Sequence, residues 1–167
     1  MSAEPENLLT EWARLVAGTL AAAGVRHVVV SPGSRSTPYL LALAARDDLR
    51  LESVLDERSA AFVALGIGRA TGAPAALLTT SGTAPAHAHP AVIEASYAEV
   101  PLLVLSADRP VELRDSGAAQ TIDQTRLFGD HARYFLELGN PSAHPEALRH
   151  ARRALLAIEE PARHAGV

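Results

Sequence analysis

Short runs of apolar residues alternate along the chain with longer stretches in which apolar residues recur every three or four positions. The short runs cover residues 27–30, 49–55, 75–79, 100–105 and 133–138. Each run is rich in aliphatic side chains and too short for a stable helix, so we predict five strands. Because most of the runs are continuous rather than alternating, they favour strands that are buried on both faces, including the strand at 49–55.

The stretches between these runs predict amphipathic helices. The first covers residues 6–23 and is followed by Gly24, a favoured residue just past a helix C-terminus. The second is predicted to begin at Ser36 or Thr37, where a hydroxyl can cap it and Pro38 suits the first turn. Further helices are predicted over residues 57–70, 83–98, 123–128 and 145–159. The helix at 83–98 contains two prolines near its start, which are expected to bend or restart it.

Regular alternation of strand and helix is typical of α/β proteins. We therefore predict a doubly wound, mostly parallel sheet of about five or six strands with helices on both faces. At 167 residues the chain is large enough for one domain with a substantial core. The long irregular stretch at 111–122 is expected to carry function, because structureless loops of this length are uncommon in compact domains.

Composition removes several classes of function. A net charge of -4 and only 4% aromatic residues argue against nucleic acid as a partner. Cysteine is absent, which excludes disulfides, thiolate catalysis and cysteine-ligated metals. All 15 basic residues are arginine, so Schiff-base and P-loop lysines are also excluded. No apolar stretch is long enough for a membrane span and no signal peptide is visible, so a cytoplasmic location is expected.

Polar residues stand at the ends of three predicted strands. Glu57 follows the second strand, and the polar segments 31–36 and 80–84 follow the first and third. Because ligands bind at the carboxyl ends of the strands in open α/β sheets, we expect these groups to converge on one rim. Glu57 is the first candidate for chemistry. The alternative is that Asp56 and Glu57 form an acidic pair at a helix N-terminus, which the helix dipole favours.

The candidate loops also allow structural readings. Segment 31–36 combines Gly33, hydroxyls and Arg35 with a helix N-terminus, which suits an anion, but an ordinary turn has the same composition. Segment 80–84 lacks the G-x-S-x-G spacing of a serine hydrolase. Arg109 is either a carboxylate clamp or one member of a salt bridge with Asp108.

Two histidines, His87 and His89, invite a metal hypothesis. On a helix, residues two apart point to different faces, and no third ligand is suitably spaced. No metal site is therefore predicted in these residues.

Five segments together resemble the 2-succinyl-5-enolpyruvyl-6-hydroxy-3-cyclohexene-1-carboxylate synthases, thiamine-diphosphate-dependent enzymes of menaquinone biosynthesis. In chain order they are 31–36 (SPGSRS), 56–60 (DERSA), 80–84 (TSGTA), 107–110 (ADRP) and 120–124 (QTIDQ). The resemblance implies that residues 1–167 are a single N-terminal pyrimidine-binding domain, truncated from a longer three-domain enzyme. It also implies that the Mg²⁺ ligands lie in a diphosphate-binding domain outside these residues, and that this domain alone is inactive.

The resemblance further implies roles for individual residues. In the family, the glutamate that matches Glu57 hydrogen-bonds the pyrimidine ring of the cofactor and assists removal of the thiazolium C2 proton. Near the pyrimidine, the matching residues are Thr80, Ser81, Gly82 and Gln120. The residues that match the substrate-binding positions are Ser34, Arg35, Arg109 and Gln120. The family usually has Asn where this chain has Ala119, so the resemblance does not carry that one substrate hydrogen bond to this chain.

The reaction implied by the resemblance is decarboxylation of 2-oxoglutarate and addition of the succinyl unit to isochorismate, in a homodimer or a dimer of dimers. Both substrates are carboxylates, which gives the arginines a clear role in orientation and charge neutralisation. Two other hypotheses remain open. One is a non-catalytic α/β domain for dimerisation or carboxylate sensing, and the other is a different thiamine-diphosphate carboligase or decarboxylase.

Overall fold

The computed structural model describes residues 7–144 and, beyond them, residues 146, 147, 149, 151 and 153. Four parallel strands form one sheet in the order β2-β1-β3-β4. The strands are β1 (His27–Val30), β2 (Arg50–Ser53), β3 (Ala75–Thr79) and β4 (Leu102–Ser106). The helices are α1 (Leu8–Ala22), α2 (Thr37–Ala44), α3 (Glu57–Thr71) and α4 (His89–Tyr97). Short 3-10 helices cover Pro85–Ala88, Val111–Leu113 and Gly129–His131.

Helices cover both faces of the sheet. One core contains buried residues of α1 and α2 together with Val28 and Val30 of β1. The second core contains buried residues of α3 and α4 together with Val29 of β1 and Leu77 of β3. Because successive strand residues point to opposite faces, the continuous apolar sequence of β1 supplies both cores. The predicted doubly wound α/β class is confirmed.

The strand order creates a switch point between β1 and β3. From β1 the chain passes through α2 to β2 on one side, and from β3 it passes through α4 to β4 on the other side. The two connections therefore diverge from neighbouring strands, and a crevice opens between them at the carboxyl edge. His27 of β1 pairs with Arg50 of β2 and with Ala75 of β3, so the three strands begin level and their ends share this edge.

The prediction that the run at 49–55 is a buried strand is wrong. Strand β2 occupies an edge of the sheet, and three of its four residues are exposed. Leu55, beyond the end of the strand, is 83% exposed. An edge strand has a neighbour on one side only, and the sequence of a single strand does not reveal its position in the sheet.

The predicted fifth strand at 133–138 is also absent. This segment pairs with no strand in the described residues, although Leu136 and Leu138 pack against the first core. The sheet consequently has four strands there, rather than five or six. The predicted helix at 123–128 is a series of turns that leads into the 3-10 helix Gly129–His131.

The other predicted helices agree with the structure where it describes them. Gly24 has φ of 91° and follows Ala23, the C-cap of α1, as expected just past a helix C-terminus. The helix predicted at 83–98 is divided into Pro85–Ala88 and α4, so it does restart. Of the helix predicted at 145–159, residues 146, 147, 149, 151 and 153 are helical, and the others lie outside the described residues. No helix in the described part of the chain is long and apolar enough to cross a membrane.

Candidate functional site at the carboxyl edge of the sheet

The loops that follow β1 and β3 touch each other at the switch point. A Cβ atom added to Gly33 would lie 2.4 Å from Cβ of Thr80 and 2.7 Å from its Oγ1. Only glycine permits this approach, because real Cβ atoms do not come so close to other carbon atoms. Two predicted segments, 31–36 and 80–84, are therefore in direct contact.

The loop after β1 is held as a tight turn before α2. The hydroxyls of Ser36 and Thr37 both donate to the carbonyl oxygen of Gly33, at 3.0 and 3.2 Å. The prediction that one of these hydroxyls caps α2 is wrong, because no side chain caps this helix. The hydroxyls are engaged by a preceding carbonyl, which leaves the first N–H groups of α2 without a side-chain acceptor.

Gln120 is brought to the loop after β3 by a pair of reciprocal hydrogen bonds. The Ser81 hydroxyl donates to the Gln120 carbonyl oxygen, and the Gln120 side-chain amide donates to the Ser81 carbonyl oxygen, each at 3.2 Å. Gly82 has φ of 78°, and a Cβ atom on it would lie 2.8 Å from Cγ of Gln120. Residues 39 positions apart in sequence thus form one surface next to Thr80.

Glu57 is the first residue of α3 and is half-buried. Its neighbour Asp56 caps the helix, accepting hydrogen bonds from the backbone N–H and the hydroxyl of Ser59. The Ser59 hydroxyl, followed by its N–H, lowers the pKa of Asp56 below its ordinary value. Capping is therefore performed by Asp56, and the Glu57 carboxylate has no hydrogen bond within residues 7–144.

The Ser31 hydroxyl donates to the Val54 carbonyl oxygen at 2.9 Å. This bond joins the end of β1 to the segment that precedes Glu57. The predicted rim is thus connected from β2 through β1 to β3.

A groove of about 860 Å³ runs along β4 and contains three of the predicted site residues. Ser34, Arg35 and Arg109 are part of its lining, together with apolar residues of β4. The other predicted site residues, Glu57, Thr80, Ser81, Gly82 and Gln120, do not line it. Strands β2 and β4 are three strand spacings apart, about 14 Å, so Glu57 and Arg109 follow strands at opposite edges of the sheet.

The guanidinium group of Arg109 is available to a ligand. Its Nε is buried without a hydrogen-bond partner, and its side chain makes no ion pair in the described part of the chain. The alternative reading, a salt bridge between Arg109 and Asp108, is not present. Asp108 instead accepts the backbone N–H of Arg109 at 2.7 Å and pairs with the guanidinium of Arg114 at 3.3 Å.

Sequence reasoning missed Arg114, Gln124 and Glu137, which also line the groove. Arg114 pairs with Glu137 as well as with Asp108, and the hydrogen bond that Arg114 donates to Glu137 is the main cause that raises the pKa of Arg114. Glu137 lies 23 residues from Arg114, so no local spacing indicated the pair. Gln124 belongs to a segment that was singled out, but its sequence gives no sign of its buried contacts.

The two candidate histidines have different surroundings in the structure. His89 packs edge-on against Phe128 and His131, with ring centroids 5.8 and 6.0 Å apart, whereas His87 is exposed. Among the described residues, no three histidine, aspartate or glutamate side chains are close enough to hold a metal ion.

Comparison with known proteins gives consistent matches. A synthase named 2-succinyl-5-enolpyruvyl-6-hydroxy-3-cyclohexene-1-carboxylate synthase, from Halobacterium salinarum, is 59% identical over 146 residues, which are 87% of this chain and 25% of the relative. Synthases of the same name from Myxococcus xanthus and Chloroflexus aurantiacus are 56% identical over 146 residues and 59% identical over 133. These matches cover 87% and 80% of this chain, and 25% and 23% of those relatives. The chain thus spans about a quarter of the length of the curated relatives it matches.

Residues 10–127, more than half of the chain, match the family described as thiamine pyrophosphate enzyme, N-terminal TPP binding domain. This range includes the polar segments that meet at the switch point. It also includes the candidate residues on the groove, apart from Glu137. The chain therefore belongs to the thiamine pyrophosphate enzymes, as an N-terminal TPP binding domain of that family.

Proposed function

We propose that this chain is the pyrimidine-binding domain of a longer enzyme that decarboxylates 2-oxoglutarate and joins the succinyl unit to isochorismate. Thiamine diphosphate is its cofactor, and Mg²⁺ binds in a part of the enzyme outside residues 1–167. The product is the compound in the name of the relatives, 2-succinyl-5-enolpyruvyl-6-hydroxy-3-cyclohexene-1-carboxylate. The observation that carries the proposal is the free carboxylate of Glu57 on a rim that also presents a free arginine, Arg109.

The residues at the switch point suit a flat heterocycle. Close contact at Gly33 and Gly82 leaves no room for additional side chains, so the rim offers backbone and small polar groups to a ring. We assign the pyrimidine of the cofactor to Glu57, with Thr80, Ser81, Gly82 and Gln120 beside it. When bound, thiamine diphosphate supplies the electron sink that allows a 2-oxo acid to lose CO2.

Glu57 has the role of a proton-holding group in this assignment. Its carboxyl group shares a proton with the ring nitrogen of the pyrimidine and so controls the protonation of the cofactor. A carboxyl group does this near neutral pH only if it is shielded from water, which favours its neutral form. In the described residues Glu57 is half-buried, so we expect further shielding from another part of the assembled enzyme.

The groove suits carboxylate substrates. Arginine binds carboxylates through paired hydrogen bonds, and Arg35 and Arg109 both line the groove without an ion pair in the described residues. We assign substrate binding to these two arginines, with Ser34 as a polar partner on the groove. Gln120 is assigned as a second polar partner from the surface beside Ser81, since it does not line the groove. Glu57 does not line the groove, so the carboxylate assigned to the cofactor is not one of the groove residues assigned to the substrates.

We further propose that the enzyme is a homodimer in the cytoplasm, and that the surface beside Glu57 faces the partner. Leu55, Phe62 and Val63 are 83%, 43% and 40% exposed on and next to the outer side of α3. Exposed apolar side chains favour burial against another protein surface. Such a contact would also provide the shielding that Glu57 requires.

The test is an assay of the protein encoded by the complete reading frame, with thiamine diphosphate and Mg²⁺ present. We expect CO2 release from 2-oxoglutarate and product formation with isochorismate. Glu57→Gln keeps the shape of the side chain but removes its proton transfer, so kcat should fall about 100-fold or more. The matched control is Glu94→Gln, an exposed glutamate on α4, which should leave kcat unchanged.

Two results would refute the proposal. Wild-type protein that uses pyruvate in preference to 2-oxoglutarate would be a different thiamine-diphosphate carboligase. Activity that is equally high in Glu57→Gln and Glu94→Gln would remove the assigned role of Glu57.

A further inference from the structure

Gln124 is the most buried polar side chain on the groove, and the proposed reaction gives it no role. Only 8% of this residue is exposed. Its side-chain amide donates two hydrogen bonds, one to the Ala107 carbonyl oxygen and one to Oδ1 of Asp108, both at 3.1 Å. Its own oxygen, Oε1, is buried without a partner. A buried amide that meets two acceptors on consecutive residues indicates a specific structural task.

The two acceptors belong to the two residues that precede Arg109. Ala107 is itself anchored to the sheet, because its N–H donates to the Thr79 carbonyl oxygen at 3.1 Å. Oδ1 of Asp108 also accepts the backbone N–H of Arg109 at 2.7 Å. A continuous chain of hydrogen bonds thus leads from β3 through Ala107, Gln124 and Asp108 to the backbone of Arg109.

The second oxygen of Asp108 is engaged as well. Oδ2 accepts from the guanidinium of Arg114, which also pairs with Glu137. Both oxygens of the Asp108 carboxylate are therefore engaged by groups other than the Arg109 guanidinium. This arrangement explains why Arg109 keeps a buried Nε without a partner although an aspartate precedes it in the chain.

We propose that Gln124 and Asp108 are positioning residues, which hold the Arg109 guanidinium free and correctly oriented for a substrate carboxylate. This inference rests on the proposed function, from which it takes the role of Arg109. Gln124 does not touch the substrate and acts through the backbone of residues 107–109. Displacing a binding group by about 1 Å is enough to cost up to 100-fold in efficiency, so the effect of losing this support is measurable.

The first test compares Gln124→Met with Arg109→Lys in the full-length enzyme. Met has a similar volume but no amide, so it removes both hydrogen bonds without opening a large cavity. Arg109→Lys identifies the substrate that Arg109 holds, because the KM of that substrate rises. We expect Gln124→Met to raise the KM of the same substrate about 10-fold or more, with kcat within about twofold of wild type.

Matched variants separate positioning from general damage. Thr19→Val is a buried substitution of similar size on α1 that removes a hydrogen bond from a side chain to the Leu15 carbonyl oxygen, and it should leave both KM values unchanged. Asp108→Asn retains an oxygen that can accept from Arg109 and Gln124, so it should stay closer to wild type than Asp108→Ala. Asp108→Ala and Gln124→Met should be non-additive when combined, because they interrupt the same chain of hydrogen bonds.

A binding measurement separates this inference from the proposed function. The affinities of wild-type protein and Gln124→Met for 2-oxoglutarate and for isochorismate are measured by calorimetry. Carboxylate binding without turnover in wild-type protein would refute the proposed function alone. If turnover and binding are the same in Gln124→Met as in wild type, the positioning role alone is refuted. It is also refuted if Gln124→Met raises only the KM of the substrate whose KM Arg109→Lys does not change. If wild-type protein binds neither carboxylate, both proposals are wrong.

Discussion

Replacing Gly33 by alanine tests the contact between the two loops at the switch point. The added Cβ would stand 2.4 Å from Cβ of Thr80, 2.7 Å from Oγ1 and 2.9 Å from Cγ2. The φ angle of Gly33 lies outside the left-handed region, so alanine is compatible with the backbone there. The cost of the substitution is therefore steric, and it arises from one neighbouring residue.

The expected magnitude follows from that geometry. Inserting one methyl group into a well-packed site costs about 1–3 kcal/mol. Here the nearest atom is the Cβ of Thr80, which is bonded directly to the backbone of the loop after β3. We expect Gly33→Ala to lower the free energy of unfolding by an amount in that range. In a domain of this size, the loss corresponds to a fall in Tm of about 3–9 °C.

A double-mutant cycle measured by urea denaturation tests this reasoning. Thr80→Ala retains the Cβ at 2.4 Å, so it should restore only part of the stability of Gly33→Ala, whereas Thr80→Gly removes all three close atoms and should restore more. The control is Gly66→Ala in α3, where an added Cβ meets nothing within 4 Å and helix propensity favours alanine. Equal stability of Gly33→Ala and wild type, or equal rescue by both changes at Thr80, would contradict the proposed contact.

Three more predictions concern the rim and the outer surface of α3. Gly82 has φ of 78° and lies close to Gln120, so Gly82→Ala should lower the free energy of unfolding by at least about 1–2 kcal/mol. An unchanged midpoint of urea denaturation would be evidence against the left-handed turn. The pKa of Asp56 is lowered in the folded protein, so its stabilising effect is present above the unfolded pKa and is lost as the pH falls through the folded value. Melting curves from pH 6 to pH 2 should therefore show a smaller acid-induced loss of stability in Asp56→Asn than in wild type, and identical profiles would argue against this effect. Phe62→Glu, on the outer side of α3, should shift the full-length protein toward monomer in sedimentation velocity. Leu41→Glu, on a helix that packs against the opposite face of the sheet, should not. If both variants remain dimeric, the α3 surface is not the interface.

Local patterns were sufficient for most of the secondary structure. The apolar runs of β1 and β3 and the helical spacing of α1 and α3 depend on interactions between near neighbours in sequence. The two prolines near residues 85 and 90 also indicated the restart before α4, because proline acts on its own helical turn. These features were predicted correctly because their physical causes are local.

Two of the errors depended on a distant neighbour. Residues 133–138 have a strand-like composition, but a strand exists only where another strand pairs with it. The run at 49–55 was predicted to be buried, yet β2 lies at an edge of the sheet and is largely exposed. The third error is local, because the hydroxyls of Ser36 and Thr37 were expected to cap α2 and instead donate to the carbonyl oxygen of Gly33, only three and four residues earlier.

The candidate site divides in the same way. From the sequence alone came the residue types and their places after strands: a glutamate after β2, small polar residues after β1 and β3, and an arginine after β4. Their order along the rim, the contact of Gly33 with Thr80 and the support of Arg109 by Gln124 were decided only by the tertiary structure. The physical reason is that periodicity and capping act over a few residues, whereas strand order and buried hydrogen bonds join positions that are tens of residues apart.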